Sequence, residues 1–284
     1  MRCARLLLAI LVIALFVPPI TGQSVAIENP GLRNWKSALM SLDATVLAKL
    51  YTSNAAATTA DGEPQDLSAD EQFWRQFVSQ KPQELSVLVR GTKEQPGMQV
   101  AALTVSFKEN TLQGLRSRYI LVQQFWQREG DEWRIVAAKH SGVLKMPQPA
   151  SLNPNLYPRG VDAHQEIKEA IERASHEHKR VILIFGANWC YDCHVLDFAL
   201  HHSDAAPVAE KNFVIVHVDI GEGKLNPDLV SEYKIPLDKG VPALAVLDSN
   251  GKLLYSQQNG EFESARSMDP DELIAFLEKW KPKT

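Results

Sequence analysis

The 284-residue sequence predicts two domains of different class, an α+β domain followed by an α/β domain. Three observations predict this. Near Pro82 the apolar spacing changes from three-and-four to two, so helices give way to a run of antiparallel strands. A proline-rich stretch without apolar period interrupts the chain at residues 146–159. Beyond it, continuous apolar runs alternate with amphipathic segments, the pattern of buried strands and the helices that cover them. Composition agrees, since 45% hydrophobic and 23% charged residues describe a globular chain. The formal charge of −4, with no basic block or basic-aromatic stripe, argues against a nucleic-acid partner.

Residues 1–22 stand outside the fold. Arg2 and Arg5 precede twelve consecutive apolar residues, Leu6 to Val17, and Pro18-Pro19 end the run. Twelve is short of the ~20 that span a bilayer and suits a signal-peptide core, so the chain is expected to be exported, to the periplasm or outside the cell, with no membrane span after cleavage. A short uncleaved anchor is the rival reading. Cleavage removes two arginines and Cys3, leaving 28 basic and 34 acidic residues and only two cysteines, Cys190 and Cys193.

The first domain, residues 30–145, opens with Leu32, Trp35, Leu39, Leu42, Val46 and Leu50 at helical spacing, read as one apolar stripe. Residues 52–66 are small and polar and read as a loop. Ser68 with Glu71 forms a capping box for a helix carrying Phe73, Trp74 and Phe77. Four strands follow, with Leu85/Val87/Val89, Met98/Val100/Ala102, Tyr119/Leu121 and Trp133/Ile135/Ala137 alternating against polar neighbours. Glu129 to Glu132 makes the last hairpin turn. This order, and the run Trp133 to His140 after a Gly-Asp turn, resembles the nuclear-transport-factor-2-like (NTF2-like) superfamily with its SnoaL-like members. The resemblance implies a cone-shaped α+β fold that holds a small apolar ligand. Tyr51, Arg118, Tyr119 and His140 are the candidate polar groups in such a cone. No pair of acids with a tyrosine stands at strand positions, so binding, docking or dimerisation is expected here rather than catalysis.

The second domain, residues 160–281, begins at Asp162, an N-cap for a helix with Ala163, Ile167, Ala170 and Ala174 on its core face. His176 and His178 near its end are i,i+2 and do not share a helical face, so they are read as charge at a helix C-terminus and not as metal ligands. Val181–Phe185, Phe213–Ile220 and Val241–Leu247 are buried strands, and Asp248 to Gly251 turns the last into Lys252–Ser256. Asn226-Pro227 opens a short helix, and Asp269-Pro270 opens the final one, with Leu273, Phe276, Leu277 and Trp280 on its apolar side.

The chemistry concentrates after the first of these strands, in Trp189-Cys190-Tyr191-Asp192-Cys193-His194. If the next helix starts at Cys190, four free N–H groups and the positive end of the dipole face its sulfur and lower the thiol pKa. A Cys190–Cys193 disulfide closes too small a loop to staple a fold, so the pair is expected to serve exchange. In that mechanism Cys190, partly exposed, attacks a substrate disulfide and Cys193 resolves the mixed disulfide. Asp192 beside the thiolate raises its pKa and makes the pair more reducing, whereas a protonated His194 acts oppositely.

With Gly240-Val241-Pro242 before the third strand and Gly260 beyond it, the domain resembles the thioredoxin fold, nearest to the exported thioredoxin-like and disulfide-reductase branches. The resemblance implies a cis Val241–Pro242 bond that aligns a substrate backbone against the dithiol, with Trp189 shielding one side. It implies thiol-disulfide oxidoreductase activity with no cofactor, protein thiols and disulfides as substrates, and an unidentified redox partner. The charge of Asp192 beside a mostly neutral His194 sets the expected direction as reductant or isomerase. The family's buried Asp six residues before the first cysteine is Ile184 here, and the lysine of the following strand aligns with His217. The family's proton acceptor is thus missing, and His217 or a water is expected to take its place. Three rival readings remain. Cys190-x-x-Cys193-His194 also fits c-type haem attachment; Cys190, Cys193, His194 and His201 or His202 suit zinc or copper; and an inert disulfide on a ligand- or partner-binding protein needs no redox chemistry.

Overall fold

The structure, a computed structural model, describes residues 27–53, 67–111 and 114–283. The expected signal peptide, Cys3 and most of the 52–66 loop lie outside the described residues. The chain separates into two compact units that meet between Val143 and Leu144.

The first unit packs three helices and a four-stranded antiparallel sheet, as expected from the NTF2-like resemblance. Asn29 caps α1 (Pro30–Met40), its Oδ1 accepting from the Leu32 N–H at 2.8 Å. The single stripe read from Leu32 to Leu50 is in fact two helices. Leu42 turns into the left-handed region at φ 57°, and Asp43 caps a separate α2 (Ala44–Ala48) with bonds to the Thr45 and Val46 N–H groups. The third helix, α3 (Leu67–Ser79), is already formed at Leu67, so Ser68 lies inside it and is not its cap. Strands β1 (Gln83–Gln95), β2 (Met98–Thr111), β3 (Gly114–Glu129) and β4 (Glu132–His140) pair in chain order. Leu85, Val87 and Val89 of β1 and Trp133 and Ile135 of β4 face the core as read, whereas in β2 and β3 the core face is offset from the one read in sequence. In β2 it carries Ala101, Leu103, Val105 and Phe107 rather than Met98, Val100 and Ala102; in β3 it carries Ile120, Val122 and Trp126 rather than Tyr119. Trp35, Trp74 and Trp126 fill the space beneath, with Trp35 and Trp74 edge to face at 5.1 Å.

The second unit has a mixed sheet of order β6-β5-β7-β8. Asp162 caps α4 (Ala163–Glu177), as read. β5 (Arg180–Gly186) is flanked by β6 (Phe213–Asp219) in parallel and β7 (Ala243–Leu247) antiparallel, with β8 (Leu253–Ser256) at the edge. Every residue of β5 after Arg180 is buried, which is why its sequence is a continuous apolar run. Helix α5 (Tyr191–His202) leaves the end of β5, and α6 (Ala206–Asn212), α7 (Pro227–Glu232) and α8 (Pro270–Trp280) follow. The sequence reading missed α6, whose marks are Pro207 at its start and Lys211 in its last turn.

The segment read as a linker, 146–159, has neither helix nor strand, yet it is not a free connector. Leu156 and Tyr157 are buried against Cys190 and Cys193, and buried Gln148 accepts from the Tyr191 hydroxyl, all within the second unit. The prolines exclude regular structure, but the apolar side chains between them still leave water.

Candidate active site

β5 ends at Gly186, and the turn through Ala187, Asn188 and Trp189 delivers Cys190 to the start of α5. Cys190 is the N-cap residue, its Sγ accepting from the Cys193 N–H at 3.1 Å. The helix dipole and its free N–H groups therefore point at this sulfur, as expected. Cys190 and Cys193 are joined as a disulfide. The Val241–Pro242 bond is cis, and the Val241 carbonyl oxygen lies 3.6 Å from Cys190 Sγ.

Cys190 is less open than expected. It is 4% exposed and Cys193 is fully buried, because Leu156, Tyr157 and Val241 pack around the disulfide. Trp189 is the exposed member of the site at 43%, its indole N–H held by the Gly221 carbonyl at 2.8 Å.

Asp192 stands differently from the sequence reading. Its carboxylate is buried and accepts from the Arg266 backbone N–H at 2.8 Å and from the Arg266 guanidinium through both oxygens. Arg266 also lies over the Tyr191 ring, 4.9 Å from its centroid. The negative charge expected beside Cys190 is thus offset by a cation 74 residues away in sequence. His194 is 3% exposed and turned inward, its Nε2 3.0 Å from the Asn188 carbonyl oxygen. Its ring therefore braces the turn before Cys190 rather than facing a substrate.

His217, placed on β6 beside Ile184, meets the Tyr157 ring edge-on at 5.3 Å, and its Nε2 lies 3.2 Å from Asp197 Oδ1. Burial works to raise the Asp197 carboxyl, but the imidazoles of His201 and His217 outweigh it and hold it well below the usual range. Asp197 in turn raises His201 to about 9. His201 is thereby engaged away from the cysteines and, among the described residues, no group of three His, Cys, Asp or Glu side chains is placed to hold a metal ion.

Sequence reasoning missed Tyr157, Asn188, Asp197 and Arg266. Asn188 Oδ1 accepts from the Tyr157 N–H at 3.0 Å and its Nδ2 donates to the Tyr157 carbonyl at 2.6 Å, fixing the 156–157 segment over the disulfide. The available signal was Leu156-Tyr157 itself, an apolar pair inside an otherwise polar, proline-rich run. Nothing local marks Arg266.

In the first unit, two of the four cone candidates converge on an unanticipated acid. The Tyr51 hydroxyl donates to Asp70 Oδ2 at 2.5 Å, and His140 Nε2 lies 3.7 Å from Asp70 Oδ1 with its ring stacked on Phe73. Burial raises the Asp70 carboxyl against the lowering effect of the Tyr51 bond. Arg118 instead pairs with Glu109 at 2.7 Å, and Tyr119 stands opposite Ser106 on the partly exposed face of the sheet.

Residues 162–249 match a family model described as thioredoxin-like. Among solved structures, the chain is similar to a disulphide isomerase from Xylella fastidiosa Temecula1, with 34% identity, 44% of this chain and 95% of that one covered, and a TM-score of 0.41. It is also similar to the reduced C-terminal domain of DsbD from Neisseria meningitidis, at 23% identity over 42% of this chain and 96% of that one, TM-score 0.31. A further likeness is to an NTF2-like superfamily protein from Salmonella enterica, at 16% identity over 39% and 85%, TM-score 0.30. No curated protein is significantly similar to the chain. The Cys190–Cys193 pair lies within the matched residues, and the second unit of this chain belongs to the thioredoxin-like family.

Proposed function

We propose that the protein is an exported thiol-disulfide oxidoreductase that exchanges disulfides with protein substrates through Cys190 and Cys193. The observation that carries this reading is Cys190 as N-cap of α5, bonded to Cys193, with the carbonyl oxygen of Val241, the residue before cis-Pro242, 3.6 Å from its sulfur. A helix N-terminus stabilises the thiolate that exchange requires. Export is supported by the charged, apolar and proline-terminated leader at residues 1–22.

The reductant-or-isomerase direction now rests on a different support. Asp192 is paired with Arg266, so its charge no longer argues for it. Instead, the apolar cover of Leu156, Tyr157 and Val241 disfavours two thiolates relative to a disulfide. The pair should therefore give up electrons readily. Insulin reduction by a thiol in the presence of the protein tests exchange: Cys190→Ser should abolish the catalysed rate, and Cys193→Ala should accumulate a mixed disulfide visible by mass. Full activity in Cys193→Ala would sink the mechanism. A reduction potential as high as about −120 mV would reverse the direction.

A second reading has an observation of its own. Gln124 is fully buried beneath the sheet of the first unit, and among the described residues neither its amide oxygen nor its nitrogen has a hydrogen-bond partner. The Trp126 indole N–H is likewise unpartnered among the described residues. Such groups suit a small ligand with polar atoms held in the cone. A co-purifying small molecule, seen by native mass spectrometry and lost in Gln124→Leu, would make the first unit the working part.

A further inference from the structure

Beside the disulfide lies a hydroxyl with nothing to do. Tyr157 is fully buried and its Oη has no hydrogen-bond partner among the described residues, a state that buried hydroxyls avoid. The ring is not there by default, since Asn188 fixes its backbone with two hydrogen bonds. The hydroxyl and the Cys193 sulfur crowd the same side of Gly186: a Cβ at Gly186 would collide with Tyr157 Oη and fall 2.5 Å from Cys193 Sγ. Burial, with Asp197 and Asp219 nearby, pushes the phenol well above its ordinary value, so its proton stays on oxygen. His217 meets the ring edge-on and turns its Nε2 to Asp197. Where a carboxylate was expected to serve Cys193, the chain has Ile184, which offers no polar atom.

We propose that Tyr157 is a catalytic residue of the exchange reaction, its hydroxyl donating a hydrogen bond to the Cys193 thiolate when the disulfide opens. The proposal rests on exchange at Cys190 and Cys193. An incoming thiolate, from a protein or from glutathione, attacks Cys190 Sγ and forms a new S–S bond there. The Cys190–Cys193 bond breaks and its electron pair leaves on Cys193 Sγ; the incoming thiol is oxidised and Cys193 is reduced. Tyr157 keeps its proton and gains its first partner. In reverse, the Cys193 thiolate attacks the mixed disulfide and expels the partner's thiolate. The hydroxyl is thus unpartnered in the disulfide state and satisfied in the reduced one. It favours the reduced form and counters part of the apolar cover around it.

The test uses the full chain with Tyr157→Phe. Equilibrated with reduced and oxidised glutathione, the variant should shift about tenfold toward the disulfide, the size of one charge-assisted hydrogen bond. Its oxidised form should melt no lower than wild type, while its reduced form melts lower. A general packing defect would lower both. In a Cys3→Ser/Cys190→Ser background, where Cys193 is the only thiol, Tyr157→Phe should raise the thiol pKa read from thiolate absorbance. Replacement of Tyr157 by 3-fluorotyrosine, a stronger donor of nearly the same shape, should lower it, and this decides the matter if the Phe variant does not fold. An unmoved Cys193 titration in both variants overturns the proposal. If that titration moves but wild type never exchanges with glutathione, the hydrogen bond stands and the catalytic role falls with the exchange reading.

Discussion

Asp197 lies one helical turn beyond Cys193 and shares its carboxylate between two imidazoles, His201 and His217. His201 is raised by this partner to about 9 from an ordinary value near 6.5. A folded value above the unfolded one means that the charged pair stabilises the fold fully below about pH 6.5, and that this contribution is lost as pH rises through about 9. On the acid side, Asp197 is held below its ordinary value, so its share is full above about pH 3.9 and fades as pH falls further. Asp197→Asn should bring the His201 titration, followed by NMR, back toward 6.5. It should also remove the loss of urea resistance between pH 7 and 10; an unchanged His201 titration would count against the pairing. At this scale the sequence was legible where chemistry is local. Cys190, Cys193 and Pro242 announced themselves because a helix start and a dithiol occupy neighbouring positions. Arg266 did not, because only the fold brings it to Asp192, and Tyr157 did not, because its meaning depends on a sulfur 36 positions away.

Among the elements, α1 shows how closely the first unit is packed. A Cβ at Gly31 would fall 2.6 Å from a Trp126 ring carbon and 2.8 Å from the Trp133 Cβ. Gly31→Ala gains up to ~1 kcal/mol in helix propensity but drives α1 away from the sheet. The overpacking cost of about 1–3 kcal/mol should exceed it, so urea denaturation should show net destabilisation. Strands of this unit could be found from sequence because apolar residues recur in them at a period of two. The inward face of β2 could not. In β2, Val100, Ala101, Ala102 and Leu103 are apolar on both parities, so a period of two does not choose between them. The choice is made by which side the helices cover. The break between α1 and α2 was hidden for a similar reason, since a stripe of leucines continues across Leu42 while the backbone does not.

For the molecule as a whole, family likeness and physical unit have different limits. The thioredoxin-like match begins at residue 162, whereas the compact unit begins at Leu144. Leu156 and Tyr157 bury side chains worth roughly 1.5–3 kcal/mol each, and Gln148 receives the Tyr191 hydroxyl at 2.9 Å. A fragment of residues 160–284 should therefore lose on the order of 5 kcal/mol against residues 144–284, a large part of a typical domain's stability. It should bind a hydrophobic dye and melt without a sharp transition, while the longer fragment melts cooperatively; equal melting curves would refute this. The two-domain plan was legible because a proline-rich run separates two kinds of periodicity. That the run belongs to the second unit was not, since prolines report what the backbone does and not where its neighbours settle.

Asn188 grips the main chain of Tyr157 and leaves its side chain untouched. The anchor is therefore indifferent to what the residue carries. Position 157 can exchange one flat aromatic ring for another without loosening the segment, and with each exchange reset the polarity felt by the sulfur beneath it. On the proposed hydrogen bond, position 157 of this chain is a dial separate from the Cys-x-x-Cys motif, one that adjusts the electron affinity of the dithiol while its framework stays fixed.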